Sequence, residues 1–155
     1  MNIGFKLPIS FHILKEEEKI MENCKFCRIA KGELNSYKLY EDEKFFAFLD
    51  ISPIQEGHFM IIPKKHSEYI FDLEEPDYTE IMKLAKKLSK NLKAVTKAKK
   101  IGLAVEGFGE EHLHIHLMPI NKVGDLDPCK YKRAMDDHLK MLHKKFLPYF
   151  SSEQS

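Results

Sequence analysis

The sequence contains no tryptophan, only three cysteines and no long hydrophobic run among its 155 residues. Three cysteines are too few for the disulfide framework that stabilises small secreted proteins. No apolar stretch approaches the roughly 18 residues that are needed to cross a membrane. We therefore expect a globular protein of the cytoplasm that has no membrane segment.

Neither sign of charge dominates the chain. Lysine and arginine total 25 and aspartate and glutamate total 24, which gives a formal net charge of +1. A nucleic-acid-binding surface requires a basic excess or a clustered basic stripe, whereas the lysine pairs of this chain are interspersed with acidic residues. The balance of charge therefore predicts no nucleic-acid partner. The length suits a single domain with its own core.

The first 22 residues differ in pattern from the rest of the chain. They contain short apolar clusters and a charged run at 15–19, which lies just before Met21. The segment lacks the continuous apolar region and the small-residue cleavage site of a signal peptide. We interpret residues 1–22 as an N-terminal extension of doubtful origin, with Met21 as the biological start. Residues 23–150 are then the domain, and residues 151–155 a frayed tail.

Periodicity and turn residues predict the order helix, three strands, long helix, two strands, helix. The long helix follows Pro76, and its apolar residues recur every three or four positions. These residues are Ile81, Leu84, Ala85, Leu88, Leu92 and Val95. Period-two patterns and turn signals predict strands at 37–41, 45–50, 58–62, 101–105 and 112–118, the last ended by Pro119. Helices at 24–31 and roughly 131–146 complete an α+β fold, an antiparallel sheet of about five strands with helices on one face.

The most informative segment is His112-Leu113-His114-Ile115-His116. Side chains alternate between the two faces of a strand, so the three imidazoles share one face and the apolar residues point into the core. A single metal ion held by all three is disfavoured, because the outer Cα atoms of such a strand lie roughly 13 Å apart. The remaining alternative is a set of half-buried histidines with local hydrogen bonds. Clustered titratable groups mark functional sites more often than cores, so we predict a catalytic site.

This segment resembles the signature of the histidine triad (HIT) superfamily, in which histidines alternate with apolar residues. Four further stretches are similar, in order and spacing, to its nucleoside-phosphoramidate-hydrolase (Hint-like) branch. They are Tyr40-Glu41-Asp42-Glu43, Ala47-Phe48-Leu49-Asp50-Ile51-Ser52-Pro53, Gly57-His58 and Ile61-Ile62-Pro63-Lys64-Lys65-His66. The resemblance covers roughly residues 24–119. It implies the HIT-like fold, with the long helix and the C-terminal helix packed on the sheet, and a homodimer.

The resemblance also implies the roles of single residues. His114 would be the nucleophile that attacks the α-phosphorus of a purine nucleotide and forms a nucleotidyl-histidine intermediate. A neutral imidazole suits this role because it is nucleophilic at pH 7. His116 and His58 would offset the charge that builds on the phosphate oxygens. Asp50 matches the family's ribose-binding aspartate, and the alternative is that it is only a turn residue before Ser52-Pro53.

One stretch departs from the family pattern. Many members carry a glutamine and a hydroxyl residue before the triad, and both side chains donate to the phosphate. Here the stretch reads Val105-Glu106-Gly107-Phe108-Gly109-Glu110-Glu111 and has neither. We predict that backbone N–H groups of Gly107 and Gly109 bind the substrate instead, because glycine lets the backbone approach a ligand closely. Glu110 and Glu111 are expected at an exposed loop tip.

Cys24 and Cys27 form a Cys-x-x-Cys pair. A redox pair of this kind follows a strand in a thioredoxin-like unit, and no strand is predicted before this one, so metal binding is favoured. Two unligated thiols in a small core are the alternative. The resemblance adds His66 and His112 as ligands, which completes a Cys₂His₂ set for structural zinc. Cys129 is predicted to be an incidental thiol.

Together these patterns predict an enzyme whose partner is a small-molecule nucleotide. Hydrolysis of purine nucleoside phosphoramidates is favoured, and hydrolysis of dinucleoside polyphosphates is the first alternative. Nucleotidyl transfer to an acceptor other than water is less favoured, because the uridylyltransferase relatives have a longer, two-lobed form. A zinc-stabilised nucleotide-binding module with little catalysis is an alternative of a different class, and the missing phosphate donors favour it.

Overall fold

The structure is a computed structural model that describes residue 13 and residues 18–151. Most of the predicted N-terminal extension and nearly all of the predicted tail lie outside the described residues. Residues 18–23 are helical and precede the recognisable domain, and the choice of Met21 as the biological start stays a prediction. Among the described helices, none has the length and apolar character that a membrane crossing requires.

Three α-helices and five strands form the domain. The helices are α1 (Lys25–Ala30), α2 (Asp77–Thr96) and α3 (Asp136–Phe150). The strands are β1 (Lys38–Glu41), β2 (Phe45–Leu49), β3 (Phe59–Pro63), β4 (Lys100–Ala104) and β5 (Ile115–Ile120). Short 3₁₀ turns lie at Ile70–Asp72 and Pro128–Lys130.

All neighbouring strands are antiparallel, and their order in the sheet is β1-β2-β3-β5-β4. The first three strands follow one another along the sheet, whereas α2 carries the chain to the far edge, where β4 lies, and β5 then returns between β4 and β3. The predicted α+β fold with an antiparallel sheet of about five strands is confirmed. This order places β3 and β5 side by side at the centre, where Met60 pairs with His116.

The main core lies between the sheet and the two long helices. The six α2 residues predicted from periodicity are all buried in it. Helix α3 contributes a second stripe at spacings of three and four: Leu139, Leu142, Phe146 and Phe150. Burial of these side chains, at roughly 25 cal/mol per Å² of apolar surface, is the main stabilising contribution to the fold.

The opposite face of the sheet carries a smaller cluster, which corrects the expectation that all helices lie on one face. Phe26 and Ile29 of α1 pack there against Phe46, Phe48 and Met60. Every residue of β2 is therefore buried, because α1 covers one side of the strand and α2 with α3 the other. The smaller cluster forms part of the wall of the functional site.

The predicted boundaries of the last strand and the last helix are wrong. The last strand continues through Pro119, which pairs with Ile101 of β4. At this point β5 has passed its last residue paired with β3, Leu117, so only one neighbouring strand needs ladder hydrogen bonds. The last helix begins at Asp136 rather than near residue 131, because residues 132 and 134 donate their backbone N–H groups to the loop after β2.

The turn before β3 has a specific packing requirement. Gly57 has φ +89°, a left-handed value that side chains disfavour, and a Cβ there would lie 2.8 Å from Cζ of Phe146. Gly32, after α1, has a similar φ of +76°, but a Cβ at that position would meet no heavy atom within 4 Å. A side chain at Gly32 would therefore introduce backbone strain alone, whereas a side chain at Gly57 would introduce both backbone strain and a steric clash.

We expect Gly57→Ala to lower the free energy of unfolding by about 2–4 kcal/mol, since backbone strain adds to overpacking of the core. Gly32→Ala is the matched control and should cost about 1 kcal/mol, because only the strain remains. Urea denaturation of both variants measures the difference. Equal losses would show that the contact with Phe146 contributes nothing.

Candidate active site and metal centre

The three histidines lie where the chain enters β5. The hydrogen-bonded strand begins only at Ile115, yet the alternation of side chains starts earlier. Leu113, Ile115 and Leu117 all belong to the main core, and the histidines point to the side of the sheet that α1 covers. The predicted sharing of one face is therefore present in the structure.

His114 is held by its own chain. Its Nδ1 lies 2.7 Å from the backbone oxygen of His112, so Nδ1 carries the proton and donates to that carbonyl. The remaining ring nitrogen, Nε2, then has a lone pair. Phe26 packs edge-on against the His114 ring, with 5.2 Å between ring centroids. The His114 side chain is buried but lines a large cavity, so a ligand in this cavity can contact its Nε2.

His58 and His116 form a hydrogen-bonded pair beside His114. The N–H group of Ile54 donates to Nδ1 of His58 over 3.2 Å, so the proton of the neutral His58 ring is on Nε2. That N–H points to Nδ1 of His116, 2.8 Å away, and Oδ2 of Asp50 lies 3.6 Å from the same nitrogen. His116 accepts at Nδ1 and so carries its own proton on Nε2.

Burial keeps this pair neutral. Removal from water disfavours the charged imidazolium and, together with smaller contributions from the neighbouring His58 and His114, lowers the pKa of His116 to about 3. Burial also lowers the pKa of His58, against the opposing attraction of the Asp50 carboxylate. The hydrogen-bond pattern gives the same result independently, because each ring has one accepting nitrogen. The site therefore offers N–H donors rather than imidazolium charges.

The cavity that these histidines line has a volume of about 820 Å³, ample for a nucleotide. Asp50 and Gly109 line it, whereas Gly107 is not among its lining residues and lies beside the backbone oxygen of Glu68. Both glycines have left-handed backbones, with φ +77° at Gly107 and φ +88° at Gly109. Glu110 also lines the cavity, and it is ion-paired with Lys25 rather than free at a loop tip.

Several cavity residues were not predicted as site residues from the sequence. Apolar side chains of α1, β2 and the loop after β2 make one wall: Phe26, Ile29, Phe48 and Ile51. The segment between β5 and α3 makes another wall, with Leu126, Pro128, Tyr131 and Arg133. These residues are distant in sequence from the triad, so only the fold brings them together with it.

The four predicted metal ligands come together at the N-terminus of α1. Each of Cys24, Cys27, His66 and His112 offers a ligand atom, and these atoms all lie within 4.8 Å of one another. Nδ1 of His112 is 3.3 Å from Sγ of Cys24 and 3.4 Å from Sγ of Cys27. Nδ1 of His66 is 3.3 Å from Sγ of Cys27. Cys129, by contrast, is exposed and does not belong to this set.

The chemistry of the donor set fits a thiophilic dication. Nε2 of His112 donates to the backbone oxygen of Pro63 over 2.8 Å, which leaves the Nδ1 lone pair directed at the thiols. A ligand histidine with its other N–H held by a carbonyl is the usual arrangement around zinc. Burial, together with a smaller contribution from the adjacent Cys24, raises the pKa of the Cys27 thiol to about 12. A bound cation would reverse this effect by stabilising the thiolates.

A second group, Asp50, His58 and His116, also has three potential ligand atoms within 4.8 Å. Its hydrogen bonds argue against a metal. Because Ile54 donates to Nδ1 of His58, a metal at Nε2 would require either loss of that bond or a fully deprotonated ring. We interpret this group as a hydrogen-bonded pair of histidines, His58 and His116, with the Asp50 carboxylate nearby.

Comparisons with known proteins agree with this geometry. The family model for the HIT domain matches residues 31–123. Adenosine 5′-monophosphoramidase HNT1 of Saccharomyces cerevisiae is 36% identical over 80% of this chain and 80% of its own length. Protein hit of Bacillus subtilis is 33% identical over 76% of this chain and 84% of its own length.

Solved structures share the fold. A histidine triad nucleotide-binding protein from Sulfolobus tokodaii is 30% identical, with a TM-score of 0.72 over 83% of this chain and 93% of its own. A zinc-bound histidine triad family protein from Mycobacterium smegmatis has the same fold, with 24% identity and a TM-score of 0.68 over 86% and 99% of the two chains. The family model, the relatives and the placement of the histidines lead to one conclusion: the chain belongs to the HIT domain family, in its Hint-like branch.

Proposed function

We propose that this protein is a hydrolase that cleaves purine nucleoside phosphoramidates at the α-phosphate and releases the nucleoside monophosphate. One observation carries the proposal. His114 lines the cavity and donates Nδ1–H to the carbonyl of His112, which leaves Nε2 as an unprotonated nucleophile. The relatives named adenosine 5′-monophosphoramidase, from Saccharomyces cerevisiae and Candida albicans, support the choice of substrate.

In the first step Nε2 of His114 attacks the α-phosphorus, and the bond from phosphorus to the leaving nitrogen breaks. The ring becomes cationic, with its proton retained on Nδ1. The carbonyl of His112, 2.7 Å away, stabilises that cation through a charge-assisted hydrogen bond. The product of this step is a nucleotidyl-histidine intermediate.

His116 contributes a hydrogen-bond donor to the same step. Its Nε2–H is free for the substrate, because Nδ1 is occupied by the His58 N–H. The neutral ring keeps this proton, so the Nε2–H stabilises the charge that develops on the phosphate oxygens, and the leaving amine takes its proton from solvent. In the second step a water molecule attacks phosphorus, the bond to Nε2 of His114 breaks, and the proton that the water loses returns to solvent, so the cycle closes.

The remaining cavity residues suit the nucleoside. Asp50 lines the cavity and is fixed by the N–H group of Ser52, which donates to Oδ1 over 2.7 Å, whereas Oδ2 lies 3.6 Å from Nε2 of His58. A carboxylate in this position suits two ribose hydroxyls. The apolar wall of Phe48 and Ile51 suits the faces of a base.

Zinc bound by Cys24, Cys27, His66 and His112 is the proposed structural cofactor. The metal would supply no chemistry to the reaction, since four protein ligands leave no open position. Its ligand His112 also provides the carbonyl that orients His114, so the metal set and the nucleophile share one backbone segment. A homodimer remains a proposal that rests on the resemblance, and a cytoplasmic location remains a proposal that rests on the composition of the sequence.

We expect the wild-type protein to hydrolyse adenosine 5′-phosphoramidate to AMP and His114→Ala to lose activity by at least about 10³-fold, because the nucleophile is absent. His138→Ala is the matched control and should be fully active, since His138 lies on α3 beside Glu56. Chromatographic measurement of AMP release tests this. Faster turnover of diadenosine polyphosphates would favour the alternative substrate class, and nucleotide binding without turnover by the wild type would favour the binding module.

For the metal, we expect about one zinc ion per chain by elemental analysis and a large loss in Cys24→Ser. The thermal midpoint should fall with the metal, because the binding free energy contributes to folding. Cys129→Ser removes an exposed thiol outside the set and should leave both values unchanged. A metal-free wild-type protein with undiminished stability would contradict the assignment.

A further inference from the structure

The cavity has too little positive charge for a phosphate. Three carboxylates line it, from Asp50, Glu106 and Glu110, and only two cationic side chains, Lys25 and Arg133. The His58–His116 pair adds no charge, because each ring has one nitrogen that accepts a hydrogen bond. An anionic substrate would therefore enter a cavity whose fixed side-chain charges are negative overall.

Lys25 does not correct this balance, because Glu110 neutralises it. The ammonium group of Lys25 is ion-paired with the Glu110 carboxylate, which lines the same cavity. Moving Lys25 to a phosphate would leave Glu110 unpaired beside that phosphate. The ion pair holds α1 to the loop before His112 and makes no net contribution to anion binding.

Arg133 is in a different position. Within residues 18–151 its guanidinium has no ion pair or hydrogen bond, and it influences the Asp136 carboxylate only through its charge. That carboxylate already accepts from Lys140, over 2.6 Å, and from the hydroxyl of Tyr37. The Arg133 side chain is exposed and lines the cavity, so its five N–H donors are available to a ligand.

The backbone around Arg133 is fixed against the loop that carries Asp50. The N–H group of Ala134 donates to the oxygen of Ile51 over 2.9 Å, and that of Lys132 donates to the oxygen of Pro53 over 3.4 Å. Gln55 also bonds this segment, through its side-chain amide to the oxygen of Asp125. The guanidinium therefore extends from an anchored segment, so less conformational entropy is lost when it binds an anion.

We infer that Arg133 binds the substrate phosphate and supplies the donors that the loop before the triad lacks. This inference rests on the proposed function and assigns a binding residue to it. A guanidinium can donate two parallel hydrogen bonds to one phosphate group. These two donors would replace the glutamine and the hydroxyl residue that many family members carry before the triad. Arg133 lies 19 residues after His114, on the chain segment between β5 and α3, rather than on the loop that precedes the histidines.

The test compares a nucleotide with its nucleoside on the full-length, zinc-assayed protein. Isothermal titration calorimetry with AMP and with adenosine separates contacts to phosphate from contacts to the nucleoside. We expect Arg133→Ala to weaken AMP binding about tenfold or more, as loss of a charged hydrogen bond implies, and adenosine binding less than twofold. Arg133→Lys should retain part of the AMP affinity, because the charge remains without the planar pair of donors.

Lys132→Ala is the matched control. It removes one positive charge from the adjacent position, but Lys132 does not line the cavity, so both affinities should stay near wild type. The difference in AMP affinity between the wild type and Arg133→Ala should also become smaller as the salt concentration is raised, because the interaction is electrostatic. Thermal melts of all three variants establish that they are folded.

The outcomes are distinct. Equal weakening of AMP and adenosine would overturn the inference, because Arg133 would then support the nucleoside or the cavity wall. Unchanged AMP affinity would overturn it as well, while turnover of the phosphoramidate by the wild type would leave the proposed function intact. A wild-type protein that neither binds AMP nor hydrolyses the phosphoramidate would overturn both.

Discussion

The site depends on one hydrogen bond, from Nδ1–H of His114 to the carbonyl of His112. It fixes the tautomer of the central imidazole and so decides which nitrogen can attack phosphorus. The same residue that accepts this bond directs its own ring at two thiols. His112 therefore belongs to the metal set and His114 to the catalytic site, because the His112 ring contacts the two thiols whereas the His114 ring lines the cavity.

Burial keeps the histidines around this bond neutral, whereas a bound phosphate requires positive charge. The sheet and α1 remove His58 and His116 from water, which lowers the pKa of each and keeps the rings neutral. Neutral rings can donate N–H groups, but they cannot balance the charge of a phosphate. The cavity therefore combines well-ordered N–H donors with a shortage of cations, and the anchored guanidinium of Arg133 is placed to correct that shortage.

Much of the architecture could be predicted from the sequence because strong periodic patterns carry it. The α2 stripe from Ile81 to Val95 repeats at helical spacing, and the same residues are buried in the main core. The histidine segment alternates at strand spacing, and Leu113 and Ile115 accordingly lie in that core. Predictions failed where tertiary contacts override local signals, as at Pro119, which is tolerated because β3 no longer pairs there.

The sequence by itself determined the residue types at the two centres: alternating imidazoles, a thiol pair and an aspartate after a buried strand. Their family resemblance supplied the expected roles. Only the tertiary structure decided which ring nitrogen carries each proton, because the partners are a carbonyl, an Ile54 N–H group and a second imidazole. It also decided that Arg133 shares a cavity with His114, since backbone hydrogen bonds to the loop after β2 bring that distant segment alongside.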